Sequence, residues 1–191
     1  PGYNQSKILC TVEVAVALKS IQLKASKYGY QLVVYDGYRP KRSVDYFLQW
    51  SLNEEDSLMK PIFYPHISKS QIFEQGFLAE RSSHTRGSTV DVTLIKTGLK
   101  PTSPVFQKCV LEDGLTYPLY FDNTLDMGTS FDLFDVVSHH RAENISPQQR
   151  SNRELLKALM QDGGFEAYPE EWWHYTLGGE PFPETYFSFD I

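Results

Sequence analysis

Cysteine is scarce in this chain of 191 residues: Cys10 and Cys109 are the only two, too few and too far apart for a zinc knuckle. No apolar run approaches the length of a membrane span, and no basic amphipathic helix marks a surface anchor, so membrane insertion is excluded as an expectation. Basic residues are the minority, 18 Lys and Arg against 24 Asp and Glu for a net charge of −6, and they form no block. Nucleic acid is therefore not an expected partner, because phosphate binding needs clustered cations. There is no internal repeat and no composition break that would mark a domain boundary. A small zwitterionic or peptidic ligand remains compatible with all of this; nothing in the sequence sets the oligomeric state.

With 41% apolar and 22% charged residues, the chain is long enough to bury a core as one domain spanning residues 1–191. Closely spaced apolar residues, Val12, Ala15, Val16, Leu18 and Ile21, predict a largely buried helix to about Lys27, ended by Gly29. Tyr30 to Asp36 reads as a strand with a turn at Gly37, and Arg39-Pro40 opens a helix of roughly ten residues with Val44, Phe47 and Leu48 on one face. Ser68 to Phe77 reads as a short helix closed by Gly76. Residues 88–95 alternate, with Val90, Val92 and Leu94 on one face and Thr89, Asp91 and Thr93 on the other. The proline-punctuated stretch 96–123 predicts a long excursion with little regular structure. Ser146-Pro147-Gln148-Gln149 is a capping box, followed by Leu155, Leu156, Leu159 and Met160 and stopped by Gly163-Gly164. Phe165–Tyr168 and Trp172–Leu177 read as a hairpin, and the tail after Gly178 as an irregular arm. The fold class is α+β.

Two stretches carry the residue types of a metal hydrolase: Ser82-Ser83-His84-Thr85-Arg86-Gly87-Ser88-Thr89-Val90-Asp91 and Glu171-Trp172-Trp173-His174-Tyr175. Two imidazoles and a carboxylate suit a catalytic zinc that keeps one position open, and Glu171 is then a spare carboxylate. Asp91, in mid-strand, calls for a counter-ion. Taken singly, each histidine also reads as an ordinary surface residue, and Arg39 as a salt-bridged turn residue. His66 has no partner at ligand spacing and reads as structural. The pair His139-His140 reads as solvent-facing or as backing a site, since adjacent side chains diverge.

The pattern Ser-x-His-x-x-Gly-x-x-x-Asp at His84 and Asp91, with Glu-Trp-Trp-His near the C-terminus, resembles the D-alanyl-D-alanine dipeptidases, zinc peptidases of the hedgehog and D,D-peptidase type of fold. Tyr35-Asp36-Gly37-Tyr38-Arg39-Pro40 resembles their arginine segment, and Asp126-Met127-Gly128-Thr129 with Phe131-Asp132 their segment for a substrate's amino terminus. The resemblance implies a central, mainly antiparallel sheet with flanking helices. It implies one Zn²⁺ per chain on His84, Asp91 and His174, and Glu171 as general base and acid. Arg39 would stabilise the tetrahedral anion, Asp132 would pair with a dipeptide's ammonium, and Ser83 would line the pocket. It further implies that a segment of the family N-terminal to Gly2-Tyr3 lies outside this chain.

Cys10 and Cys109 are either two buried thiols or one long-range disulfide. The long stretch between Asp91 and Met127 resembles the exported branch of the family, in which a cysteine of this loop faces one near the N-terminus. The disulfide and a periplasmic or exported location are therefore expected, with a cytoplasmic one as the alternative. Two other readings share the metal: a zinc D,D-carboxypeptidase acting on peptidoglycan stem peptides, against which Asp132 argues, and a non-catalytic binding module, against which Glu171 and Arg39 argue.

Overall fold

A computed structural model describes residues 1–110 and 114–191. Its organising element is the strand Thr89–Lys96, here β2, flanked antiparallel by β1 (Tyr30–Asp36) on one side and by β6 (His174–Leu177) on the other. With β5 (Phe165–Ala167) beyond β6, the sheet order is β1-β2-β6-β5, antiparallel throughout. Only Lys96 of β2 is exposed. Alternation then decides what each face carries: Val90, Val92 and Leu94 enter the main core, while Asp91 and Thr93 turn to the opposite face. A register shift between Val34 and Asp36 brings Asp36 opposite Asp91, and Asp91 is in turn opposite His174. One row across three strands thus carries Asp36, Asp91 and His174.

The apolar face of the sheet is covered by α1 (Val12–Lys27) and α5 (Pro147–Asp162). The capping box at the start of α5 forms as expected, with the Ser146 hydroxyl accepting from Gln149 N and the Gln149 side chain accepting from Ser146 N. Leu156, Leu159 and Met160 meet Val14, Ile21 and Ala25 of α1 in the main core. Each of the larger side chains stabilises the fold by about 1.5–3 kcal/mol relative to exposure, and the methyl of Ala25 by about 0.8 kcal/mol. At Gly163 a Cβ would lie 2.3 Å from the Ile21 side chain, so the close approach of α1 and α5 requires glycine there. The bounds of α1 are those expected, but its face is narrower: Val12 and Val16 are 75% and 65% exposed, because only one side of the helix meets the sheet.

On the polar side of the sheet lie three further helices, α2 (Lys41–Ser51), α3 (Lys60–Phe63) and α4 (Lys69–Glu74), around a second cluster of Tyr64, Ile67, Ile72 and Phe77. Buried Lys69 joins them, donating to the carbonyls of Trp50 and Asn53 and lying 4.0 Å above the Trp50 ring. Its ammonium thereby ties α4 to the turn after α2, as a second donor to carbonyls that also accept from Asn53 N and Asp56 N.

Two expectations are corrected here. Among the described residues of 96–123 there is regular structure: β3 (Val105–Val110) and β4 (Thr116–Phe121) form a separate antiparallel ribbon. Pro118 sits within β4 opposite Lys108, and a two-stranded ribbon tolerates it because each strand has a free edge that needs no donor. The second correction concerns the cysteines, both of which are free thiols. Cys10 packs against the main core, whereas Cys109 packs against Tyr117 in a separate cluster with Leu133 and Val137. Burial pushes both thiols above their ordinary pKa. The disulfide-based reason for an oxidising compartment falls with the bond.

Candidate metal and catalytic site

His84 sits in a single 3₁₀ turn, Ser83–Arg86, closed by Gly87 in the left-handed region at φ 75°, where a side chain would be strained. Its Nδ1 is 2.7 Å from the Gly37 carbonyl, which can only accept, so Nδ1 carries the proton and Nε2 keeps its lone pair. That lone pair faces the sheet row: Nε2 is 3.3 Å from Asp91 Oδ2. From the neighbouring strand, His174 brings Nδ1 to 3.5 Å from Asp91 Oδ1 and 3.1 Å from Glu171 Oε2. The two imidazoles meet edge to face with centroids 4.9 Å apart. Ser83 Oγ lies 3.3 Å from His174 Nε2, at the cavity wall.

His84, Asp91 and His174 therefore offer one ligand atom each within 4.8 Å of one another. Asp91 is 1% exposed and its Oδ1 has no hydrogen-bond partner among the described residues, an arrangement that is costly without a cation. Burial would push this carboxyl up, yet His84, His174 and Arg39 hold it below the usual carboxylate range. Burial also keeps His174 below the usual imidazole range, which favours the neutral, ligating form. The donor set, two imidazoles and one buried carboxylate, fits zinc. The Gly37 carbonyl adds the outer hydrogen bond that fixes a ligating histidine.

Glu171 is 4% exposed and belongs to none of these donors. Burial first, and Asp91 second, push its carboxyl well above the ordinary value. Its neighbour Trp172 is pinned, Nε1 donating to Thr129 Oγ1 at 2.7 Å and the backbone N to the Ser138 carbonyl at 3.1 Å. Arg39 follows β1 and donates through Nε and Nη2 to Asp36 Oδ2, at 3.1 and 2.7 Å, with Asp91 Oδ2 3.9 Å away. Burial works against its charge, but Asp36, Asp91 and Asp132 raise its pKa above that of a free guanidinium. Asp132 has a positive φ of 59°, and burial followed by the charge of Asp91 pushes its carboxyl well above the usual range. Arg39, Ser83, His84, Asp91, Asp132, Glu171 and His174 line one cavity of about 690 Å³, whose other walls include aromatic residues of the second cluster, among them Phe63, Tyr64, Phe77 and Phe134.

Asp36 is the site residue that pattern reading passed over. Its signal was its place at the strand end, three residues before Arg39 and in the same segment. His66 is structural, its Nδ1 2.5 Å from Asp135 and its Nε2 2.8 Å from the Thr116 carbonyl. His139 and His140 are not solvent-facing; their Nε2 atoms are buried without hydrogen-bond partners among the described residues, and their rings pack against Phe77 and Tyr175 respectively.

A family model described as D-ala-D-ala dipeptidase matches residues 1–103 and 115–191. The D-alanyl-D-alanine dipeptidase of Enterococcus faecalis is 40% identical over 190 residues, spanning 100% of this chain and 83% of the relative. That of Streptomyces coelicolor is 39% identical with the same coverage, and that of Escherichia coli 30% identical over 92% of this chain and 69% of the relative. Among solved structures, a vancomycin resistance D,D-pentapeptidase in complex with Zn(II) superposes with a TM-score of 0.47 at 13% identity, over 93% of this chain and 77% of the other. With a family match over nearly its whole length and a relative at 40% identity, the chain belongs to the D-Ala-D-Ala dipeptidase family of peptidases.

Proposed function

We propose that this chain hydrolyses the dipeptide D-alanyl-D-alanine, with the division of labour that follows. The observation that carries the reading is the convergence of His84, Asp91 and His174 beside a fourth, non-ligating carboxylate, Glu171. Zinc held by the first three supplies, when bound, a water of lowered pKa and a positive charge that polarises a carbonyl. Glu171 takes the proton that the attacking water gives up and returns it to the leaving amine as the peptide bond breaks. Its raised proton affinity, set by burial and by Asp91, suits a group that must both accept and give.

Arg39 stabilises the negative charge that builds on the carbonyl oxygen of the tetrahedral species. Asp36 spends two of the five guanidinium N–H groups on fixing its plane, so that Arg39 is oriented before substrate arrives. Asp132, crowded by Asp91 and Glu171, gains a counter-ion when a free ammonium binds. An N-acylated peptide places an amide there and leaves the carboxyl unmatched, which selects a dipeptide over a longer chain. Ser83 lines the wall beside His174.

The deciding experiment measures release of D-alanine by zinc-loaded protein from D-alanyl-D-alanine and from a pentapeptide ending in D-alanyl-D-alanine. Turnover of the dipeptide alone is expected. Comparable turnover of the pentapeptide would favour a carboxypeptidase, and inertness to both a binding module.

A further inference from the structure

The dipeptide of the proposed function is a zwitterion, and Asp132 answers only one of its ends. Its carboxylate must enter a cavity whose lining already holds the acids Asp91, Asp132 and Glu171. Among the described residues, two arginines and no lysine line that cavity: Arg39 and Arg81. Arg39 is committed to Asp36 and Asp91.

Among the described residues, Arg81 has neither an ion pair nor a hydrogen bond. Its one polar engagement is stacking, with Cζ 4.8 Å from the centre of the Tyr186 ring on the C-terminal arm. The comparison with Arg86 is instructive, because both guanidinium groups share that ring, Arg86 at 5.7 Å. Arg86 is saturated: Nε and Nη2 hold Glu180 in a fork at 2.8 Å each, and Nη1 meets the Tyr186 hydroxyl at 3.3 Å. That is how an arginine tying down the arm looks in this protein. Arg81 is held by its face with its N–H edge unused, an arrangement suited to an incoming carboxylate. It lies three residues before His84, on the segment whose Ser83 hydroxyl is 3.3 Å from His174.

We infer that Arg81 receives the carboxylate of the dipeptide's C-terminal residue, with Tyr186 as the platform that positions its guanidinium. The inference rests on the dipeptidase reading and adds a second charge requirement to it. A substrate must present an ammonium to Asp132 and a free carboxylate to Arg81.

The test compares wild type, Arg81→Met and Arg81→Lys, all zinc-loaded, on D-alanyl-D-alanine and on its C-terminal amide. For the free acid, Arg81→Met is expected to raise KM by about two- to fivefold, the scale of an exposed ion pair, with kcat little changed. Arg81→Lys should fall between, since a point charge replaces a fork. Wild type should bind the amide as weakly as Arg81→Met binds the acid, and Arg81→Met should leave the amide KM unaltered. Equal losses on acid and amide, together with a lowered Tm, would make Arg81 a structural clip for the arm and overturn the inference. An unchanged KM for the acid would overturn it as well. A wild type active on the free dipeptide separates these failures from failure of the dipeptidase reading, since an inert wild type sinks both.

Discussion

Strands β2 and β3 are both rich in residues that favour extended structure, yet they do opposite things with them. In β2 only the terminal residue is exposed, and its pleat divides core valines from a row of charge. In β3 only Cys109 is even partly buried; Val105 and Phe106 are each 59% exposed. A strand flanked on both sides can hold Asp91 shielded from bulk solvent, because Asp36, His174 and the turn at His84 surround it. The outer ribbon cannot exclude water, so nothing there sustains an unpaired charge or a lone pair aimed at a metal. Chemistry follows enclosure in this molecule, and enclosure follows position in the sheet.

The largest effect at the enclosed site should come from Glu171→Gln, beside His174 of that row. Removing the buried carboxylate proposed to carry the proton, which lies outside the ligand set, is expected to lower kcat by roughly 10² to 10⁴ while leaving zinc content intact. Metal analysis and turnover on the same sample check this, and near-normal kcat would exclude Glu171 from proton transfer. Next comes Arg39→Lys, expected to lower kcat by about 10² or more, almost as much as Arg39→Ala. An ammonium cannot keep both the two bonds to Asp36 and a planar edge for the oxyanion. Recovery of most activity in the lysine variant would reduce Arg39 to a source of positive potential.

A third experiment sharpens the strand comparison on stability alone. Val92→Ala, at a fully buried position of β2, should cost about 1 to 3 kcal/mol, and Val105→Ala in the ribbon no more than about 0.5 kcal/mol by denaturant unfolding. Equal costs would mean that the ribbon is as integral to the fold as the sheet. The same contrast explains what could be read in advance. The capping box at Ser146, the alternation of residues 89–95 and the spacing of His84, Asp91, Glu171 and His174 are local signals, and the structure keeps them. The ribbon was hidden because Pro118 reads as a break unless one knows that its strand has a free edge. The face of α1 was misjudged because Val12 and Val16 are apolar without being covered. Lys69 and Arg81 carry no pattern at all: one is buried by partners on another helix, and the other is marked only by what it fails to pair with.

The smallest effect concerns His140, which packs behind the site against Tyr175 of β6. Its Nε2 is buried without a hydrogen bond, and burial, aided by the positive charges of Lys157 and Arg153, pushes its pKa down to about 3. The unfolded chain binds a proton there near the ordinary value of about 6.5, so between those limits the unfolded state holds more protons than the folded one. The stability tied to neutral His140 is therefore complete above about pH 6.5 and is lost as pH falls toward 3. Glu171 and Asp132, whose carboxyls are shifted upward, act in the opposite sense over part of this range, so wild type alone would mix the contributions. His140→Phe keeps an aromatic ring against Tyr175 and removes only the proton site. Denaturant unfolding of both proteins at pH 6.5 and pH 5 should show wild type losing about 1 kcal/mol more than the variant over that interval, since full exclusion of the proton sets a ceiling of about 1.4 kcal/mol per pH unit. If the two lose stability in parallel, His140 takes up its proton within the folded protein, and the wall behind β6 is as open to water as the outer ribbon.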